Sequence, residues 1–109
     1  MRTKLVGRGV LMGSTHENVN VTVELFGSAR LAVGQPEARL EVPSKSNVGI
    51  ISRILVGELP GLRGIVVDDT GALLSSHTLS IGGTIFLDDS LIELNDGDRM
   101  LLFSSQMGG

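Results

Sequence analysis

The chain contains no cysteine, tryptophan or tyrosine, and only three phenylalanines among its 109 residues. Without a thiol, disulfides, thiolate metal sites and cysteine nucleophiles are excluded. With aromatics at 3% of the sequence, the base-stacking platforms that hold single-stranded nucleic acid are not available. No nucleic-acid partner is expected, and the core must be built from Leu, Ile and Val. No apolar run approaches the length of a membrane span. The N-terminal Leu5-Val6 and Val10-Leu11-Met12 are too short, and too broken by Gly and Arg, for a secretory signal. No membrane partner is expected, and a cytoplasmic location follows as the default. Lysine is scarce as well, with only Lys4 and Lys45.

Catalytic signatures are equally sparse. Gly7, Gly9 and Gly13 lack P-loop spacing, and no Lys-Ser or Lys-Thr follows them. There is no His-Glu-x-x-His and no calcium loop. Asp68-Asp69, Asp88-Asp89 and the pair Asp96 and Asp98 read as solvated turn carboxylates, so no metal is expected. His77 reads as a surface residue in a loop. Asn20-Val21-Thr22 fits a glycosylation sequon but opens a strand in an expected cytoplasmic protein, so it reads as chance. Nothing here is equipped to hydrolyse ATP or to hold a cofactor. The chain is expected to be non-catalytic alone.

What the sequence does contain is a single small domain. A hydrophobic fraction of 41% with 19% charged residues fits a folded globular chain of about one domain. Charge is uneven. Residues 1–18 hold Arg2, Lys4, Arg8 and Glu17, which leaves 6 basic against 11 acidic side chains in the remainder. An acidic body disfavours phosphate backbones and suits partners with basic surfaces.

Residues 1–18 lack periodicity and are expected to form a flexible extension. Val21 to Phe26 alternates apolar and polar, which predicts a half-buried strand. Ala29 to Val33 predicts a short helical turn or loop closed by Gly34. Glu37 to Val42 alternates again until Pro43. Ser44 to Asn47 supply N-cap candidates for a helix carried by Val48, Ile50, Ile51, Ile54 and Leu55, which must stop before Pro60-Gly61. Residues 61–76 read as a long connection. Thr78 to Ile81 and Thr84 to Leu87 form a hairpin about Gly82-Gly83. Asn95 to Asp98 signal a turn, and Arg99 to Phe103 a last apolar strand before a polar tail, residues 104–109. The order predicts an α+β domain with one helix on one face of a sheet. The first and last strands are expected to pair centrally, sending the tail out from the middle.

This pattern resembles a family. Val23-Glu24-Leu25-Phe26-Gly27-Ser28-Ala29-Arg30-Leu31, then Gly34, is similar to the opening strand and Arg-Leu turn of the molybdopterin synthase small subunit and the ThiS-type sulfur carriers. Asp96-Gly97-Asp98 stands where these proteins have an Asp-Gly-Asp turn, Phe103 where they have an aromatic residue, and Gly108-Gly109 where they end. The likeness covers roughly residues 19–109. It departs at Ser104-Ser105-Gln106-Met107, where the family often has Pro-Pro-Val, and at Ile81-Gly82-Gly83, where it has Val-Asn-Gly. The resemblance implies a ubiquitin-like β-grasp fold: a mixed sheet, one main helix on one face, and an extended C-terminal tail. It implies a domain at residues 19–103 and a Gly-Gly tail at 104–109.

It also implies a chemistry. A carboxylate with a pKa near ~3.5 is ionised at neutral pH and a poor electrophile. Adenylation by an E1-like adenylyltransferase, which would spend the ATP, turns one of its oxygens into part of a leaving group. Sulfide can then displace AMP and leave a thiocarboxylate on Gly109. A sulfurtransferase's persulfide displaces AMP to give an acyl disulfide, from which a second thiol of the partner, forming a disulfide with the donor sulfur, releases the thiocarboxylate. Glycine at 108 and 109 removes the Cβ atoms that would meet the walls of a narrow channel. The six residues of the tail would span at most about 20 Å. Gly109 and Gly108 are therefore the expected reactive positions. Phe26, Arg30, Leu101, Phe103 and Met107 are the candidates for the partner surface, with Phe26 and Phe103 equally eligible for the core. The expected acceptor is the large subunit of molybdopterin synthase, in molybdenum cofactor biosynthesis, or another sulfur acceptor enzyme. The same activation would serve a ubiquitin-like modifier joined through Gly109 to target lysines, or a β-grasp interaction module could carry an inert tail.

Overall fold

A computed structural model describes residues 17–105. Strand β1 (Asn18–Leu25) buries Val19, Val21, Val23 and Leu25 on one side, as its alternation predicts, and starts three residues earlier than expected. Helix α1 (Gly27–Val33) is a complete short helix. Phe26 precedes it in extended conformation, and Gly34 ends it with its N–H donating to the Arg30 carbonyl at 2.8 Å. Strand β2 (Glu37–Pro43) returns antiparallel beside β1, with Val21 opposite Leu40 and Val23 opposite Ala38.

Helix α2 (Val48–Glu58) begins where the capping signal places it. The Asn47 side chain accepts from the Ile50 N–H at 2.9 Å, meeting one of the donors that a helix start leaves unpaired. Its inward face is Ile51, Ser52, Leu55 and Val56. Pro60–Leu62 forms one turn of 3-10 helix. The connection that follows is irregular yet packed, because Leu62, Val66 and Val67 are wholly buried. Ser52 pins it from the helix, its hydroxyl 2.7 Å from the Gly71 carbonyl.

Strands β4 (His77–Ile81) and β5 (Ile85–Phe86) form the expected hairpin. Its turn needs positive φ at both central positions, and Gly82 and Gly83 stand at 59° and 78°. Strand β7 (Arg99–Ser104) then enters between β1 and β4, parallel to the first and antiparallel to the second. The main sheet runs β2-β1-β7-β4-β5, so the last strand is central. A second sheet of only two short strands, β3 (Lys45–Ser46) and β6 (Ile92–Glu93), was not anticipated. Two residues are too few for any alternation to register; long-range pairing alone defines them.

One shared core sits between α2 and the inner face of the sheet, formed by residues such as Val23, Leu25, Ile51, Leu55, Leu79 and Leu102. Leu, Ile and Val dominate it, as the shortage of aromatics requires. Two earlier expectations are corrected. Ser104 is a strand residue paired with His77, not the start of a free tail. His77 is buried, at 8% exposure, because it opens β4 instead of lying in a surface loop.

Candidate functional site

The strand that leads toward the C-terminus divides its side chains sharply. Met100 and Leu102 point into the core and are fully buried. Arg99, Leu101 and Phe103 alternate onto the outer face, where Leu101 and Phe103 are half-buried. Register sets their neighbours. Leu101 lies opposite Ser80, and Ser80 opposite Phe86, making one row across three strands. Phe103 lies opposite Thr78. On its other side β1 ends level with it: Leu25 pairs with Leu102, and the Phe26 N–H donates to the Leu102 carbonyl at 3.1 Å. Phe26 thus follows Leu25 onto the outer face, level with Phe103.

The structure therefore gathers Phe26, Leu101 and Phe103 on one surface and makes all three half-buried, neither core nor fully exposed. It adds one residue that the sequence reading passed over. Phe86, on the short edge strand, is 61% exposed and completes the apolar row. The only hint was an aromatic at the outward position of a hairpin, and without knowledge of the facing strand that hint is ambiguous. Arg30 lies exposed on α1, and no described hydrogen bond or ion pair of its side chain links it to the three apolar residues. Met107, Gly108 and Gly109 lie outside the described residues.

Between Leu101 and Phe86 stands the much shorter Ser80. Its hydroxyl is buried and has no hydrogen-bond partner among the described residues. A covered, unpaired hydroxyl of this kind costs roughly 1–3 kcal/mol. Toward β1 and β2 the same face turns polar. Arg99 bridges Glu24 at 2.5 Å and Glu37 at 3.1 Å, linking three strands. Those hydrogen bonds, first to Glu24 and then to Glu37, push the Arg99 guanidinium pKa up and keep it charged.

Where β7 leaves the sheet, the chain is held. The Ser105 N–H donates to the Ser76 carbonyl at 2.7 Å, and its hydroxyl donates to the Ser75 carbonyl at 3.1 Å. The same hydroxyl lies 2.8 Å from Thr78 Oγ1. Beneath this exit His77 sits between two serines, with Ser76 Oγ 2.9 Å from Nδ1 and Ser28 Oγ 3.2 Å from Nε2. Burial lowers the His77 pKa, so the ring is neutral at pH 7.

The turn carboxylates do structural work. Asp96 Oδ1 accepts from the Asn20 N–H at 2.8 Å, tying the turn before β7 to β1. Asp98 Oδ2 accepts from the Asn95 N–H at 2.9 Å. Asp68 Oδ1 accepts from the Thr70 hydroxyl, the Thr70 N–H and the Ala72 N–H, and these bonds lower its pKa. No group of acidic and histidine side chains among the described residues could hold a metal ion. No described helix is long and apolar enough to cross a membrane.

No protein-family model matches the chain, and no curated protein matches its sequence. Solved structures do. Small archaeal modifier protein 1 from Haloferax volcanii superposes with a TM-score of 0.64 at 25% identity, over 78% of this chain and 95% of that one. Its counterpart from Methanosarcina acetivorans gives 0.63 at 24% identity, over 85% and 99%. A Pyrococcus furiosus protein provisionally designated subunit 1 of a molybdopterin converting factor gives 0.60 at 24%, over 79% and 97%. In fold, then, the chain is a ubiquitin-like β-grasp protein, similar to solved proteins of the ThiS/MoaD type.

Proposed function

We propose that the chain is a sulfur carrier, adenylated at the Gly109 carboxylate by an E1-like partner and converted to a thiocarboxylate that donates sulfur. The observation that carries this reading is the position of β7. The central strand runs out at Ser105, hydrogen-bonded at the sheet rim. Gln106, Met107, Gly108 and Gly109 follow it in the sequence. Four residues span at most about 14 Å, so a partner that takes Gly109 into a narrow site must itself come close to the sheet. The apolar face of Phe26, Leu101, Phe103 and Phe86 lies beside that exit and supplies a surface on which it could dock.

The chemistry divides between two proteins. The partner's ATP supplies the leaving group and its sulfur source the nucleophile. This chain contributes a carboxylate with no Cβ on its last two residues, and a rigid body that holds the thread in register. Molybdopterin synthesis is the preferred pathway, with the large synthase subunit as acceptor. The fold of the Pyrococcus furiosus protein supports that preference. The small archaeal modifier proteins among the solved structures favour a second reading, a ubiquitin-like modifier conjugated to target lysines through Gly109.

Intact mass of the protein from its native host separates the two. A carrier shows exchange of one oxygen for sulfur. A modifier shows adducts with a Gly-Gly remnant on lysine of another protein. An unmodified mass, with no ATP-dependent activation by an E1-like partner, rejects both. Replacing Gly109 with Val is expected to abolish activation without lowering the melting temperature.

A further inference from the structure

Strand β2 is an outermost strand of the main sheet, paired among the described residues with β1 alone. Its backbone groups are sorted by position. The Leu25 N–H donates to the Pro36 carbonyl at 2.8 Å and the Ser44 N–H to the Glu17 carbonyl at 2.9 Å. The register between these two bonds is unbroken. Bonded and non-bonded pairs alternate along an antiparallel ladder, so Ala38, Leu40 and Val42 turn their backbone groups toward β1. Glu37, Arg39 and Glu41 turn theirs outward, to the open edge. An edge of this kind is a template for another strand.

The side chains along it alternate in charge. Glu37, Arg39 and Glu41 share the outer face of the sheet. Arg99 already holds Glu37 at 3.1 Å. Arg39 and Glu41 are exposed, and neither has an ion pair among the described residues. The described partner of the Glu41 carboxylate is the neutral Asn18 amide, at 3.4 Å.

A second copy of β2, turned antiparallel about Leu40, matches this pattern. Arg39 then lies opposite Glu41 of the second copy, and Glu41 opposite Arg39 of the second copy. That reciprocity is what a twofold interface requires. Both pairs fall at outward-facing positions, so each exchanges backbone hydrogen bonds as well as bringing opposite charges together. The strand ends agree. Glu37 meets Pro43 of the second copy, which has no N–H to donate. The Glu37 carbonyl needs none, because Gln35 Nε2 already donates to it at 2.8 Å. Other registers fit worse. Sliding one strand by one pleat sets Arg39 against its own copy in one direction and Glu41 against its own copy in the other. A half-step sets outward-facing backbone groups against inward-facing ones.

We propose that the open edge of β2 is a self-association surface, through which two copies of this chain join their sheets in the one register that pairs Arg39 with Glu41. The chemistry at Gly109 plays no part in it. Strand β5 forms the opposite edge of the sheet, so the row from Leu101 to Phe86 stays clear in the pair. Ala38, Leu40 and Val42 are already buried in their own core, so pairing adds hydrogen bonds and charge contacts but little apolar area. An interface of this size, below about 1,200 Å² in total, associates weakly.

Sedimentation of the full chain between about 10 µM and about 1 mM tests the proposal, a range suited to weak association. The average mass is expected to rise toward that of a dimer with concentration and to fall with added salt, which screens exposed charge pairs. Arg39→Glu and Glu41→Arg each set like charges opposite one another and are expected to weaken association at least about tenfold. Mixing the two variants is expected to restore it, because each supplies the charge that the other lacks. Hydrogen exchange in the unmodified chain is expected to slow at the Arg39 and Glu41 amides as concentration rises. A chain that is monomeric at every concentration overturns the proposal. So does a dimer that survives both substitutions, which would place the contact elsewhere, or a mixture that associates no better than either variant alone. A chain that dimerises only after residues 1–16 are removed overturns it as well, by giving the edge to the chain's own extension.

Discussion

The two sides of strand β7 do opposite work with adjacent residues. Met100 and Leu102 face α2 and are sealed in the core. Leu101 and Phe103, one position away, stay half-exposed on the outer face. That outer face is itself divided. Toward β1 and β2 it carries the Arg99, Glu24 and Glu37 cluster; toward β4 and β5 it carries an apolar row ending in Phe86. Apolar area on the inner side is already removed from water and supports the fold. On the outer side it is still available, and its removal can drive association instead.

The division can be broken most directly at its centre. Leu102→Ala is expected to lower unfolding free energy by about 3 kcal/mol, whereas Leu101→Ala should cost under about 1 kcal/mol; urea titrations of the two would give similar losses if the division were wrong. Phe86→Asp sharpens the contrast from the other side. It should weaken binding to an E1-like partner by about 2 kcal/mol, or roughly 30-fold, and move the melting temperature little. Unchanged affinity by calorimetry would remove Phe86 from the docking face.

Ser80→Ala should stabilise the protein by about 1 kcal/mol, since it removes a buried hydroxyl that has no partner among the described residues. A destabilised Ser80→Ala in the same titration would mean that the hydroxyl is satisfied. The smallest effect concerns His77. Its folded pKa lies below the unfolded value of about 6.5. The unfolded chain therefore takes up the proton first. Stability is complete above about pH 6.5 and declines as pH falls toward the folded pKa. His77→Gln should flatten that part of the profile, and an unaltered slope would show that another group governs it.

Much of this was legible because it is local. Alternation in Val21–Leu25 and Glu37–Val42 requires only that one face be wet. The Asn47 cap and the Gly34 and Gly82-Gly83 turns are set by the backbone needs of a few neighbouring residues. The Phe26, Leu101 and Phe103 candidates came from the sequence as a list; their assembly on one surface came from strand register. His77 was misjudged because its burial depends on pairing with Ser104, 27 positions along the chain. The short β3–β6 pair was missed for the same reason, and Phe86 was missed because the row it completes runs across β4 to Leu101.

By itself, then, the sequence determined the longer strands and the capped helix, the aliphatic character of the core, and the absence of cysteine thiol chemistry. These follow from steric and solvation preferences that act within a few residues. Tertiary structure alone decided which aromatic side chains would share the last strand's outer face, that His77 would be buried, and that Lys45–Ser46 would pair with Ile92–Glu93. Those outcomes depend on which segments pack together, and packing is a property of the whole chain at once.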